Sequence, residues 1–305
     1  MGWQDVAARV AREIAAGSRA EGERLPGVRK LAREAGCSPG TAARAYAALR
    51  DAELIRGAPR SSFVVAPQAA ARAGSWDPGA GAVLIAGSDD PALDLLLRAS
   101  RGSATLAPGA RGSVPGLEQL ARGTADAAAV HLLDVASGRW NEGFAKGALA
   151  GQPVLLLHLW RREQGLVVPR GNPMRIRTVA DLAEQRVAWR PPGAGSRLLL
   201  ERLMLKEGLQ PRPDLGVQAN SHLAVAAAVA SGAADAGLAV RAVADSLGLD
   251  WIPVATEWFE LALAAGSRTA MDPLLDVLGS TTVQKRLAAL PGYELAMSGE
   301  VREVA

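Results

Sequence analysis

Two stretches of this 305-residue chain close on the same five-residue pattern. LEQLARGTADAAAV, ending at Val130, and HLAVAAAVASGAADAGLAV, ending at Val240, each run an apolar-periodic helix into Gly-x-Ala-Asp-Ala and then into small apolar residues. A helix that stops at a glycine and feeds a short buried strand is the repeating unit of an α/β layer. Its recurrence predicts two related lobes. Asp126 and Asp235 read as residues that terminate the helix-to-strand connection.

The same alternation surrounds both units. VLIAG, PALDLLLRA, SATLAP, VPGLEQLARG and DAAAVHLL read as strand, helix, strand, helix and strand, an order that argues for a parallel sheet. Later, DLAEQRVAWR passes through the turn GAGSR into the helix RLLLERLMLKEG. PVLLLHLWRREQGLVVP and WIPVATEWFELALAAG are extended apolar stretches placed to cross between lobes, near residues 154–168 and 251–260. This region begins at Ala82 and runs to 305.

The first 66 residues have a different grammar. Val6, Val10 and Ile14 give one apolar face to a helix ending near Gly17. Val28, Leu31 and Ala32 form a short second stripe, stopped by Gly36. Ser38 caps a third helix with Pro39 at its first position, and that helix buries Ala42, Ala45, Tyr46 and Leu49. Its other side shows Gly40, Thr41 and Arg44, short polar groups beside an arginine at the end that would enter a major groove. RGAPRSSFVVAP fits a small β-hairpin wing, and PQAAARAGSWDPGAG (67–81) fits an interdomain linker. A plain three-helix bundle with solvated arginines has the same periodicity.

The formal charge is only +3, so any nucleic-acid surface must be local, and the arginines and lysine between Arg9 and Arg60 supply that local excess. The single cysteine, Cys37, excludes an intramolecular disulfide framework. The N-terminus has helical spacing rather than a signal peptide's continuous apolar core, and no window reaches the ~20 apolar residues of a membrane span. A cytoplasmic protein is expected, with no membrane partner.

LPGVRKLAREAGCSPGTAARAYAALRDAELI resembles the winged-helix domain of GntR-type bacterial regulators, in particular YtrA-like and MocR-like members. The resemblance covers about residues 1–66 and implies an α+β winged helix, with double-stranded operator DNA contacted by Arg29, Ser38, Thr41 and Arg44 and a wing near Arg60 to Phe63. The family's Gly-x-Gly-(Ser/Thr)-Phe-Val wing is replaced here by Gly57-Ala58-Pro59-Arg60-Ser61-Ser62-Phe63-Val64. IAGSDDPALDLLL, RREQGLVVPRGNP, GAGSRLLLERL and LPGYELAMSGEV, with the two repeat units, are similar to the type II periplasmic-binding-protein fold in its ligand-sensing form. That similarity covers about residues 82–301 and implies an α/β domain of two lobes closing on a small ligand. Related domains occur fused to molybdopterin-biosynthesis proteins.

In such a fold the ligand lies where strands feed helix N-termini. Three turns qualify: Gly87-Ser88-Asp89-Asp90, Arg111-Gly112-Ser113 and Gly193-Ala194-Gly195-Ser196-Arg197. Their free N–H groups and hydroxyls favour an anion, with Arg197 and Arg190 adding a charge-assisted grip. Ser88, Ser113 and Ser196 serve equally well as plain helix caps. Asp89 and Asp90 would repel a dianion unless Asp90 caps its helix and Asp89 meets a ligand hydroxyl or ammonium. His131, Asp134 and Asn141 sit together near a strand end, although His131 could equally pack beside Trp140. His222 begins a helix, Glu257 follows a crossing strand, and His158 reads as structural.

GxxxxGK[ST], GxSxG and HExxH are all absent, and three scattered histidines give no metal triad, so no enzyme, metal or cofactor is expected. The expectation is a homodimeric one-component regulator sensing a molybdate- or tungstate-like oxyanion, or a small carboxylate or sulfonate. The alternative is an enzyme or solute-binding protein with a vestigial DNA-binding head.

Overall fold

A computed structural model describes residues 2–58, 62–74, 76, 82–100, 102–134, 137–150 and 152–304. The N-terminal head comprises α1 (Trp3–Ala15), α2 (Val28–Ala35), α3 (Pro39–Asp51) and the antiparallel hairpin β1 (Ile55–Ala58) and β2 (Ser62–Val65). Gly36, at φ 59°, takes the left-handed conformation that ends α2, and the Ser38 hydroxyl accepts the Thr41 N–H at 3.0 Å to start α3. Val6, Val10, Ile14, Leu31, Tyr46 and Leu49 fill the core between the helices. The hairpin tip, Arg60 included, lies outside the described residues.

The stretch expected as a linker is folded in its first part. Ala69 and Ala73, four residues apart in α4 (Ala69–Ala73), are buried on the head, with Trp76 partly buried beside them. Small side chains at helical spacing let this turn seat closely on α1, a use of alanine that composition does not separate from linker chemistry.

The rest is a two-lobed α/β body on one mixed sheet. The first lobe holds β3 (Val83–Gly87), α5 (Pro91–Ala99), β4 (Ala104–Arg111), α6 (Ser113–Arg122), β5 (Ala127–Val130) and α7 (Glu142–Ala148). β6 (Val154–Val168) then crosses to the second lobe, which holds β7 (Val187–Trp189), α8 (Gly195–Lys206), β8 (Val217–Gln218), α9 (His222–Ala230), β9 (Ala236–Val240) and α10 (Arg241–Ser246). β10 (Asp250–Ala264) crosses back, and α11 (Asp272–Gly279), α12 (Thr281–Ala288), β11 (Tyr293–Glu294) and β12 (Val301–Val304) complete the described chain.

The strand order is β4-β3-β5-β10-β6-β9-β7-β8, with β11 and β12 pairing on β6. The sheet is therefore not parallel throughout. Parallel triplets stand at both ends, while β5–β10, β10–β6 and β6–β9 are antiparallel. The cause is the pair of crossings: β10 returns along β6 in the opposite direction, from Asp250 against Val168 to Ala264 against Val154. Their register shifts at Pro253/Ala255 and Phe259/Glu260, either side of the point where Glu257 faces Arg162. Bulges of this kind bend a strand and re-aim its side chains, which is what a crossing between lobes needs.

Candidate functional site

The cleft between the lobes is lined by turns that follow the strands. After β3, Asp90 caps α5: one carboxylate oxygen accepts the N–H groups of Ala92 and Leu93 at 2.7 and 3.0 Å. Its other oxygen receives the Arg162 guanidinium and, at 2.8 Å, the Tyr293 hydroxyl. Ser88 and Ser113 join hydroxyl to hydroxyl at 2.8 Å, and Ser113 also accepts the His131 N–H at 3.3 Å. From the second lobe, Arg190 pairs with Asp89, which also accepts the His222 backbone N–H at 2.9 Å, at the start of α9. The Val114 N–H donates to the Gly193 carbonyl at 3.2 Å, so the lobes meet directly.

Between these turns lies a buried charge network carried by the crossing strands. Glu257 receives His131 Nδ1 at 3.1 Å, Arg162 Nε at 3.2 Å and Gln164 Nε2 at 2.6 Å. Arg162 is fully buried and stacks on Phe259 at 4.6 Å. Burial pushes His131 below its usual range despite Glu257, and pushes His222 further down, helped by Arg190 and Arg162. Burial alone would raise Glu257, but His131 and Arg162 hold it below the ordinary carboxylate range. Tyr293 is driven well above its usual value by burial and by Asp90. The two histidines are therefore neutral near pH 7, and Arg162 carries the positive charge of the network.

Among the described residues, five buried polar atoms here have no hydrogen-bond partner: Arg162 Nη2, Gln164 Oε1, Arg190 Nε, Ser196 Oγ and His222 Nδ1. A cavity of about 250 Å³, lined by His131, Trp140, Phe144, Gly195, Leu198 and Leu199 and by none of those five residues, opens between the lobes. Unpaired buried polar groups are rare because each costs on the order of 1–3 kcal/mol. Their concentration makes the cleft the candidate site. Among the described residues no group of His, Cys, Asp and Glu is arranged to hold a metal ion.

Of the residues proposed from sequence, Ser88, Asp89, Ser113, His131, Arg190, Gly195, Ser196, His222 and Glu257 come together at this cleft. Three others do not. Arg197 binds Glu201 at 2.6 Å along its own helix and the Arg190 carbonyl at 3.2 Å across the turn before it, so its guanidinium is already engaged. Asn141 is scaffolding: it accepts the Leu132 N–H at 2.6 Å and donates to Glu260 at 2.8 Å. Asp134 accepts the Ser137 hydroxyl at 2.6 Å in the loop beyond His131. Arg162, Gln164 and Tyr293 were missed. The signal for Arg162 and Gln164 was a polar RREQ in the middle of the apolar run LLLHLW…GLVV, since charge inside a buried strand must find partners.

In the head, Arg29 is exposed on α2. Ser38, Gly40, Thr41 and Arg44 stand at the start of α3, and this end of the helix faces the first lobe, where Arg44 meets Asp126 with both nitrogens at 2.9 Å. The role of Asp126 had no local signal, because its partner is 82 residues away.

Residues 95–279 match the family model of the PBP superfamily domain, and residues 3–65 match that of bacterial regulatory proteins of the gntR family. The uncharacterized protein YvgK of Bacillus subtilis (strain 168) is 31% identical over 195 residues, 63% of each chain. The chain therefore spans less than two thirds of that relative's length. Among solved structures, an OxyR mutant from Corynebacterium glutamicum is 14% identical, with TM-score 0.48, over 93% of this chain and 94% of its own. An ancestral arginine-binding protein bound to arginine is 15% identical, with TM-score 0.47, over 70% of this chain and 99% of its own.

Proposed function

The chain belongs to the PBP superfamily and carries a gntR-family domain at its N-terminus, and on that premise we propose that it is a one-component transcription regulator sensing a small anionic ligand. The head reads operator DNA as part of a homodimer, the two-lobed body binds the ligand in its cleft, and the protein acts in the cytoplasm without catalysing a reaction. Ligand shifts DNA affinity through its preference for one arrangement of the chain.

The observation that carries this reading is the set of unpartnered atoms in the cleft. Arg162 Nη2 and Arg190 Nε can only donate, Ser196 Oγ can donate or accept, His222 Nδ1 does one or the other according to its tautomer, and Gln164 Oε1 accepts. Two guanidinium N–H groups left over inside the cleft favour an anion. The N-termini of α8 and α9 add their partial positive charge. The charged groups of the network are Asp89, Asp90, Glu257, Arg162 and Arg190, so two cations meet three carboxylates and the site as closed is one charge negative. An incoming anion is repelled unless it takes the place of Asp89 on Arg190 and on the His222 N–H. Freed in this way, Asp89 is available to a ligand hydroxyl or ammonium.

The test is thermal melting against molybdate, tungstate, sulfate, small carboxylates and sulfonates, followed by anisotropy titration with a duplex selected from a randomised library at stated salt. Binding to the folded state raises the melting point by mass action. A melting point that no anion moves, or a protein with no sequence preference for DNA, refutes the reading.

A further inference from the structure

We infer that the first lobe masks the DNA-reading face of α3, and that the Asp126 carboxylate occupies the position a DNA phosphate would take on Arg44. This rests on the proposal that the head binds DNA.

The contact is specific. Arg44 grips Asp126 through both terminal nitrogens at 2.9 Å and stacks on Trp3 at 4.6 Å. The Trp3 indole donates to the same carboxylate at 2.6 Å. The Asp126 side chain is 1% exposed and Arg44 17%, so a charge at the tip of a reading helix is largely withdrawn from solvent. A forked pair of this geometry is also how a guanidinium binds phosphate.

The backbone fits as closely as the charges. A Cβ on Gly40 would overlap the carbonyl oxygen of Arg122, and a Cβ on Gly123 would lie 2.5 Å from the Thr41 nitrogen and hydroxyl. Gly40 has no positive φ to explain it, and glycine weakens a helix by roughly 0.5–1 kcal/mol. Close approach accounts for it here. No duplex can reach Gly40, Thr41 and Arg44 while the end of α6 lies against them.

The paired repeat supplies an internal control. Asp126 and Asp235 each brace the neighbouring strand in the same way, taking the N–H of Leu84 at 2.7 Å and of Arg186 at 2.9 Å. Asp235 gives its remaining capacity to the Arg186 side chain within its own lobe. Asp126 gives it to the head. The elements that carry the mask also reach the cleft: α6 runs from Ser113 to Arg122, and β5 joins Asp126 to His131.

The experiment locks the contact in the full chain. An ideal Cβ on Gly2 lies 2.9 Å from the Ser267 hydroxyl, so Gly2→Cys with Ser267→Cys, in a Cys37→Ser background, places two thiols within disulfide reach across the interface. The pair is expected to cross-link, and the oxidised protein to bind the selected duplex at least tenfold more weakly than the reduced protein. Asp126→Asn keeps an oxygen for Leu84 but removes the charge, and is expected to bind DNA several-fold more tightly than the parent. Failure to cross-link, or equal DNA affinity of oxidised and reduced forms, overturns the mask. Efficient cross-linking with no DNA binding by the oxidised, reduced or Asp126→Asn protein removes the DNA-reading premise, and the mask falls with it.

Discussion

Asp89 of the first lobe and Arg190 of the second form an ion pair across the cleft, and Asp89 also accepts the backbone N–H that opens α9. The aspartate behaves as a tethered anion, holding the lobes together through the contacts an anionic ligand would make. The strength of that latch sets how hard a ligand must compete.

Asp89→Asn is accordingly expected to lower stability by about 2–3 kcal/mol, because Arg190 is left buried without its counter-charge. Millimolar sulfate or molybdate should restore more stability to the variant than it adds to the parent, since the anion then supplies the missing charge. Denaturant melts with and without each anion read both effects. A variant as stable as the parent would show that the pair does not hold the cleft.

Ser196 and Arg197 are adjacent in sequence but separate in role. Ser196 Oγ is buried and unpartnered, whereas Arg197 is paired with Glu201 four residues on. Ser196→Ala is expected to weaken the anion response about tenfold, the worth of one charge-assisted hydrogen bond. Arg197→Ala should leave the response intact and cost about 1–2 kcal/mol of stability, because its part-buried guanidinium also bonds the Arg190 carbonyl. Loss of the response in Arg197→Ala and its retention in Ser196→Ala would exchange these roles.

What the sequence made legible is what local chemistry determines. Gly36, Ser38 and Pro39 punctuate α2 and α3 within four residues, and Asp90 announces its cap by preceding Pro91. The mixed sheet was hidden because its antiparallel centre joins β6 to β10 across nearly a hundred residues, a pairing that periodicity does not encode. Arg197 was misleading for a related reason. A helix-start arginine next to a glycine turn looks like an anion grip until Glu201, one turn along the same face, is seen to satisfy it. Asp126 and Asp235 had the same local sequence, and only the tertiary fold separates one that serves its own lobe from one that serves another domain.

Stability should fall as pH is lowered, first through the histidines and then through Glu257 as well. His131 and His222 are buried with depressed values, so below about pH 6.5 the unfolded chain binds protons that the folded chain does not. Unfolding free energy then drops by up to about 1.4 kcal/mol per pH unit for each histidine as pH falls. Glu257 is also depressed, so its contribution is present above its unfolded value and is lost as pH falls through its folded value. His222→Gln should make the loss of stability below about pH 6.5 less steep. Urea melts from pH 8 to 3 give the slope, and a parent whose stability is flat between pH 7 and 5 would mean that the histidines are not buried neutral.

Gly195 tests whether the lobes can part. A Cβ at this first residue of α8 would lie 2.5 Å from His131 Cε1 and 2.8 Å from Nδ1, and the two residues belong to different lobes. Overpacking inside one rigid core costs about 1–3 kcal/mol. Across a cleft the same clash can be relieved by opening, so Gly195→Ala should lose less than about 1 kcal/mol. It should also scatter X-rays as a more extended particle and bind the ligand anion about tenfold more weakly. The full stability penalty with an unchanged scattering profile would mean instead that the crossing strands β6 and β10 hold the lobes as one body, and that any ligand response must arise without hinge motion.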